Sequence, residues 1–335
     1  MTTEERKLEH IKICLEKNIE FRKCNGFEKI KIIGKEEKLH PEDVDLSVDF
    51  LGKKFSFPVF IEAMTGGYPG TEKINKNLAK AAERMGIGMG VGSQRAMLEN
   101  PDVGYTYMVR DVAPSIFLLG NIGGAQLLHY DIHQIESLVD AIEADGIAIH
   151  INALQEIVQP EGDRYWNGVF ERIHNLCRNV SFPVIVKEVG CGICGKIAKK
   201  LENAGVSAID VAGAGGTNWL KIEAYRGRYR KESFPEEFLE IGLPTAHAVK
   251  DCVKNVNIPI IASGGIRTGE DCVKALALGA SLAGLALPLL KPAMESWQRV
   301  VDVLETIVTD MTNIMAELGV RNVRELRSLR VNTYF

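Results

Sequence analysis

The chain lacks any long uninterrupted apolar run. Its least polar stretch, Ala275–Leu290, is too short for a membrane span and is broken by Gly279, Gly284 and Pro288. It also lacks a dominant charge: 40 Lys and Arg against 44 Asp and Glu leave a formal net charge of −4. No global field then draws nucleic acid or an anionic membrane, so neither is expected as a partner, and any anion must be bound locally. The opening residues MTTEERKLEHIKICLEK have no apolar core of the kind a signal peptide needs. The seven cysteines are scattered and odd in number, which excludes a simple disulfide framework and fits reduced thiols in a cytoplasm. Only Cys191 and Cys194 form a CxxC, with no second pair to complete a zinc site. The surrounding VGCGICGKIAKK reads as a strand end running into a helix rather than a redox motif.

What is present is material for a large core, 46% hydrophobic residues over 335 positions, arranged in a regular alternation. Eight short β-branched runs (58–63, 88–92, 115–121, 146–151, 183–188, 208–212, 259–264 and 281–287) are separated by amphipathic segments of helical period. Those segments include 72–85, 132–144, 165–179, 193–204 and 269–278, and 297–318 reads as the last helix. Two of the runs open with SFPV and a third with NIPI, placing a proline where a strand begins and an N–H is dispensable. Eight continuous apolar strands alternating with helices predict a parallel (β/α)8 TIM barrel, with a doubly wound open sheet as the other parse. Residues 1–56 read as an N-terminal helix and hairpin extension, with Lys29–Ile33 and Ser47–Phe50 as candidate strands. Residues 57–320 read as the barrel and 321–335 as a tail, within one domain. Trp219–Gly242 reads as an insertion between strands six and seven.

Barrel chemistry sits where strands deliver their C-terminal residues into loops. The ends read AMTGG, GVGSQR, GNIGG, HINALQE, KEVG, VAGAGGTNW, ASGGIRTG and GLALPLL in order. ASGGIRTG combines glycines, Arg267 and a helix start, which suits a phosphate, although a helix entry that needs a tight turn would read the same way. SQR (93–95) offers a hydroxyl, an amide and a guanidinium near one point, suited to a phosphate or carboxylate. Lys187 ends an apolar strand and needs a partner, either the adjacent Glu188 or a ligand with developing negative charge. Arg6, Lys7 and His10 lie on neighbouring turns of a helix for which a solvated charged face is the default. In HINALQEIVQPEGD (150–163), Glu156 is the first carboxylate, and one carboxylate with phosphate oxygens and waters is how Mg²⁺ is commonly held. No Ser–His–Asp or Cys–His nucleophile set stands at the strand ends, so the chemistry would depend on a cofactor.

Taken together, RKLEH (6–10), MTGG (64–67), GSQR (92–95), NxxQE (152–156), QPEGD (159–163), KEVG (187–190), GAGGTNW (213–219), IEAYR (222–226) and GGIRTG (264–269) resemble the type 2 isopentenyl-diphosphate Δ-isomerases over essentially the whole chain. Those are FMN-dependent (β/α)8 barrels. The resemblance implies isomerisation of isopentenyl to dimethylallyl diphosphate by a 1,3-proton shift. Reduced FMN is the acid–base catalyst in that family, with Mg²⁺, and with NADPH or NADH to reduce the flavin. It further implies FMN against Met64, Thr65, Gly66, Ser93, Asn121, Lys187 and Thr217, with its phosphate on Gly265, Ile266, Arg267, Ala286 and Leu287. The substrate would be held by Arg6, Lys7, His10, Ser93, Gln94, Arg95, His150, Asn152 and Gln155, with Mg²⁺ on Glu156. Gln155, Lys187, Trp219 and Glu223 would be the catalytic set, and the assembly a homo-tetramer or homo-octamer. Two positions depart from the pattern: Ala153 where many members carry proline, and Ala212 where some carry serine. The other enzyme class compatible with such a barrel is an FMN-dependent 2-hydroxy-acid oxidase or dehydrogenase. That chemistry wants a histidine base near strand seven, where the nearest candidate is His247.

Overall fold

The prolines that open the strands show how the barrel is seated. In the computed structural model, which describes residues 3–159, 161–226 and 235–334, the carbonyls of Pro58, Pro183 and Pro259 accept from Ala283, Ile147 and Ile209 at 2.9, 3.0 and 3.0 Å. Each proline contributes the one polar group it has and gives up no ladder donor.

The eight barrel strands are Val59–Ile61, Gly88–Gly90, Leu118–Gly123, Gly146–His150, Val184–Lys187, Ala208–Asp210, Ile260–Ala262 and Leu282–Leu285. They pair in chain order as a closed parallel barrel, and the eighth returns to the first through Ala283↔Val59, Gly284↔Phe60 and Leu285↔Ile61. The open-sheet parse is thereby excluded. Helices Thr71–Met85, Ile132–Ala141, Val169–Asn179, Gly195–Asn203, Thr245–Asn255, Gly269–Ala277 and Trp297–Glu317 cover the outside. Each buries one apolar stripe, as Ile74, Leu78, Ala81, Ala82 and Met85 do on the first of them. Among the described residues, no helix is long and apolar enough to cross a membrane.

Two connections differ from the sequence-based expectation. Ile30–Ile33 does not pair with the second candidate strand; it runs antiparallel to Arg330–Thr333, so the segment read as a tail closes a two-stranded sheet with the extension. Val48–Phe50 instead forms a hairpin with Lys53–Phe55. Its two-residue turn, Leu51 and Gly52, has φ of 48° and 81°, the left-handed pair a tight hairpin requires. Leucine is an uncommon residue for the first of those positions, which hid the turn. The eighth strand also ends earlier than expected, and a short helix, Leu287–Glu295, follows it directly with Pro288 in its first turn. Of the predicted insertion Trp219–Gly242, helices Trp219–Tyr225 and Glu236–Leu239 are described, and residues 227–234 lie outside the described residues.

Candidate active site

The C-terminal ends of the strands open into a cavity of about 220 Å³ roofed by the helix Thr3–Glu16. Its floor is polar. Lys187, the last residue of the fifth strand, points its ammonium at Asp210 Oδ2 (2.9 Å) and Glu62 Oε2 (3.6 Å) and donates to the Glu188 carbonyl (2.8 Å). Burial opposes its charge, but the acidic pair beside it, Asp210 foremost, outweighs that penalty and holds Lys187 protonated. The Glu188 carboxylate is not its partner; it accepts from the backbone N–H groups of Val189 and Gly190 at 2.6 and 2.7 Å, and from that of Cys191. Both CxxC sulfurs are free thiols.

On one side, the loops after strands six, seven and eight bring Thr217, Gly264, Gly265, Arg267, Ala286 and Leu287 to the cavity. The two glycines serve chiefly to let two loops touch. A Cβ on Gly264 would stand 2.0 Å from the Gly213 carbonyl oxygen, and one on Gly265 2.5 Å from that of Gly215. Arg267 pairs with Glu20 and donates to the Ile266 carbonyl (2.8 Å); Ile266 itself is buried and does not line the cavity. Two turns with a short helix after strand eight make up the place where barrels commonly seat a phosphate.

Met64, Thr65, Ser93 and Asn121 line the middle. The Thr65 hydroxyl is buried with no hydrogen-bond partner among the described residues, as expected of a group that meets a bound ligand. Gly66 lies behind this wall, where a Cβ would fall 2.1 Å from the Tyr107 ring. Gln94 is turned away as well. Its Oε1 accepts from Asn121 N–H and its Nε2 donates to the Leu138 carbonyl, both at 2.9 Å, so it braces the third strand instead of meeting a substrate.

The opposite side and roof hold the cations. Arg6, Lys7, His10, Arg95, His150, Asn152, Gln155 and Glu156 all line the cavity, so the first helix is a lid over its own barrel and not a free solvated face. Lys7 donates to the Ser93 carbonyl (3.4 Å), and burial and Arg6 lower its pKa to about 7. His150 Nδ1–H donates to Asn121 Oδ1 at 2.7 Å. Burial, reinforced by Lys187 and Lys7, pulls the pKa of His150 down to about 3. Folded His150 is therefore neutral, while in the unfolded chain it titrates near 6.5; stability is lost as pH falls through and below that unfolded value. An NMR titration of ligand-free protein should find this ring uncharged at pH 5, and a midpoint near 6.5 would refute the assignment.

Glu223 is buried just outside the cavity and ties the lid down. His10 Nε2 lies 2.9 Å from its Oε1, Gln155 Nε2 donates to it at 3.4 Å, and Arg226 Nη1 meets Oε2 at 2.6 Å. With its amide turned to satisfy both neighbours, Gln159 donates to Glu223 (3.2 Å) and accepts from Arg6 (2.9 Å). Arg226 extends the tie to Glu9 (3.2 Å) and Glu161 (3.4 Å). Trp219 stands edge-on to His10, ring centres 5.0 Å apart.

Glu156 accepts from Asn152 Nδ2 (3.0 Å) and Asp163 N–H (2.7 Å), yet burial outweighs these donors and raises its pKa. Beside it Asn152 Oδ1 is buried without a hydrogen-bond partner among the described residues. A carboxylate with a neighbouring carbonyl oxygen is a donor set that suits a hard divalent cation completed by an anion and water. Among the described residues, no cluster of three or more His, Cys, Asp or Glu could hold a metal alone. Asp163 braces the loop through Gln126 (2.8 Å) and Arg95 (3.4 Å), so the QPEGD segment takes part in both lid and wall. His247, the oxidase-type candidate, sits in the helix Thr245–Asn255 and does not line the cavity.

Glu62, Asp210, Ser263 and Gln126 were not singled out from the sequence. The first two had a signal: each is a lone acid at the end of an apolar strand, in FIEA and AIDVA.

Residues 143–333 match the family of FMN-dependent dehydrogenases. The isopentenyl-diphosphate delta-isomerase of Methanosarcina barkeri is 44% identical, with 98% of this chain and 92% of that protein covered. The Pyrococcus furiosus protein of the same name is 44% identical over 97% and 86%, and that of Methanothermobacter thermautotrophicus 45% over 96% and 91%. Among solved structures, a mandelate oxidase variant superposes with TM-score 0.66 at 15% identity, over 97% of this chain and 94% of its own, a likeness of fold alone.

Proposed function

This chain belongs to the isopentenyl-diphosphate delta-isomerases within the FMN-dependent dehydrogenase family, and we propose that its cavity converts isopentenyl diphosphate to dimethylallyl diphosphate. The observation that carries the reading is the convergence of three features in one cavity: a buried lysine on the floor, the glycine loops after strands six and seven, and a lid presenting Arg6 and Lys7 beside Arg95.

FMN is held by the floor and the glycine side, and in its reduced form supplies the proton-transferring group for a redox-neutral allylic shift. Met64, Thr65, Ser93, Asn121 and Thr217 line its bed, and Gly265, Arg267, Ala286 and Leu287 receive its phosphate. The Thr65 hydroxyl gains a partner there, and the Lys187 ammonium stabilises negative charge on the ring. NADPH or NADH serves only as reductant.

The substrate diphosphate meets Arg6, Lys7, Ser93, Arg95 and His150. Lys7, poised near neutrality, regains its full charge when an anion arrives. Glu156, with Asn152 Oδ1 beside it, would hold Mg²⁺, which would neutralise the diphosphate and so help fix where the hydrocarbon end lies. Gln155, oriented by Glu223, and Trp219 wall that end off from water. The enzyme works in the cytoplasm as a homo-tetramer or homo-octamer.

The test is anaerobic incubation of the flavin-loaded protein with NADPH, Mg²⁺ and isopentenyl diphosphate. Dimethylallyl diphosphate is the expected product, and its absence with folded, reduced flavoprotein refutes the reading. Glu156→Gln should retain FMN but raise the Mg²⁺ concentration for half-activity by roughly 10- to 100-fold. Loss of flavin from that variant would move Glu156 out of the metal role.

A further inference from the structure

The barrel floor carries two acids to which the proposed reaction gives no part. Glu62 follows the first strand and Asp210 ends the sixth; they are 4% and 2% exposed, and among the described residues one cation, Lys187, lies between them. The place for Glu62 is shaped: a Cβ on Gly284 of the eighth strand would stand 2.2 Å from its Oε1. The two carboxyls are served unequally. Asp210 Oδ1 accepts from the Ser263 hydroxyl (2.5 Å) and Ala212 N–H (3.2 Å), and Oδ2 lies 2.9 Å from the ammonium. Among the described residues no donor reaches Glu62 Oε1, and its Oε2 is 3.6 Å from Lys187. Below them a cavity of about 10 Å³ is walled by Phe60, Leu119, Ala148, Ile185 and Ile261, too small for more than a single water. The second, third and fourth strands add Gly90, Leu119 and Ala148 to its lining, and the seventh adds Ile261, so Lys187 and Asp210 are the titratable groups that face Glu62. One buried cation balances one carboxylate, and a second buried acid beside it keeps its proton.

We propose that Glu62 and Asp210 hold one proton between them, seated on Glu62, so that Asp210 alone balances Lys187 and the ammonium stays free to answer a negative charge above it. Glu62 is then a positioning residue acting through Lys187. Burial and repulsion from Asp210 both act in that direction, holding Glu62 well above the usual carboxylate range. If Asp210 were neutralised, Glu62 would release its proton and become the counter-charge, so the two acids are mutual reserves. The link to the ring above Lys187 rests on the flavin reading; the location of the proton does not.

The experiment therefore has two parts. Wild-type-minus-variant infrared spectra of flavin-free protein at pH 8, above the value of about 7 to which burial raises Glu188, should contain the carbonyl stretch of a protonated carboxylic acid, lost in both Glu62→Gln and Asp210→Asn. In flavin-loaded protein, each single variant should change the relative binding of reduced and oxidised flavin by less than about tenfold, ~30 mV for a two-electron couple. The double variant leaves Lys187 with no counter-charge and should exceed tenfold. Absence of the protonated-acid band, a shift beyond tenfold in Glu62→Gln alone, or a double variant equal to the sum of the singles overturns the proposal. Should Asp210→Asn not fold, the band and the Glu62→Gln potential decide. A protein that takes up no flavin refutes the functional reading, while the infrared result still locates the proton.

Discussion

Lys187→Met is expected to lose activity by roughly 100- to 1,000-fold, the usual cost of removing one preorganised donor from a site of developing charge. It should also be less stable by about 3–5 kcal/mol, because one partner of a buried ion pair is left behind. What remains is Asp210, buried at the end of the sixth strand with its remaining donors Ser263 and Ala212 and no cation. The pH dependence separates this account from simple loss of packing. In the variant, the cation that lowers the Glu62 pKa is gone, so burial and the nearby Asp210 hold that carboxyl still further above its unfolded value; its protonated form contributes stability that is present below the unfolded pKa and lost as pH rises through the folded one. The deficit against the wild-type chain should therefore be larger at pH 8 than at pH 5 in urea unfolding. An equal deficit at both would mean that Lys187 matters for volume rather than charge. A visible flavin spectrum tells whether the loss of activity is loss of cofactor.

Arg226→Ala is the second large effect. The guanidinium is 3% exposed and gathers carboxylates from three places: Glu223 on its own helix, Glu9 in the lid, and Glu161 in the loop after the fourth strand. Removing it strands a buried Glu223 and unties the lid from both walls, at a cost of about 3 kcal/mol or more. Since Arg6 and Lys7 ride on that lid, KM for the diphosphate substrate should rise by roughly tenfold or more while flavin remains bound. Unchanged KM with a falling kcat would place Arg226 with the chemistry instead. Limited proteolysis offers a second reading: cleavage within the first 16 residues should accelerate in the variant.

The two variants also mark how far the sequence could be read. The barrel was legible because burial on both faces of a parallel strand forces unbroken apolar runs, and helices between them must show a 3.6-residue stripe. The motif loops were legible as types of group: Arg267, Arg95, Glu156 and Lys187 all line one cavity, as their place at strand ends implies. Orientation was not legible. Gln94 sits between Ser93 and Arg95 yet points into the protein, where it bonds the Leu138 carbonyl and Asn121 N–H. The partners of Lys187 come from positions 62 and 210, far away in sequence, whereas the adjacent Glu188 bends back to cap its own turn. A hairpin turn built on Leu51 gave no compositional warning, and the pairing of Ile30–Ile33 with Arg330–Thr333 spans nearly the whole chain. Local pattern carries local structure; contacts between distant positions need the closed barrel before they exist.

That last pairing has a consequence for the order of synthesis. Ile30–Ile33 leaves the ribosome early but finds its strand partner only in residues 330–333. The barrel's own ladder also closes late, because its first strand waits for Leu282–Leu285. A nascent chain thus carries the unpaired strand Ile30–Ile33 until residues 330–333 emerge, and a first barrel strand with one open edge until residues 282–285 do. Elongation rate and chaperone occupancy over that interval, more than equilibrium stability, should govern how much of this protein a cell recovers in native form.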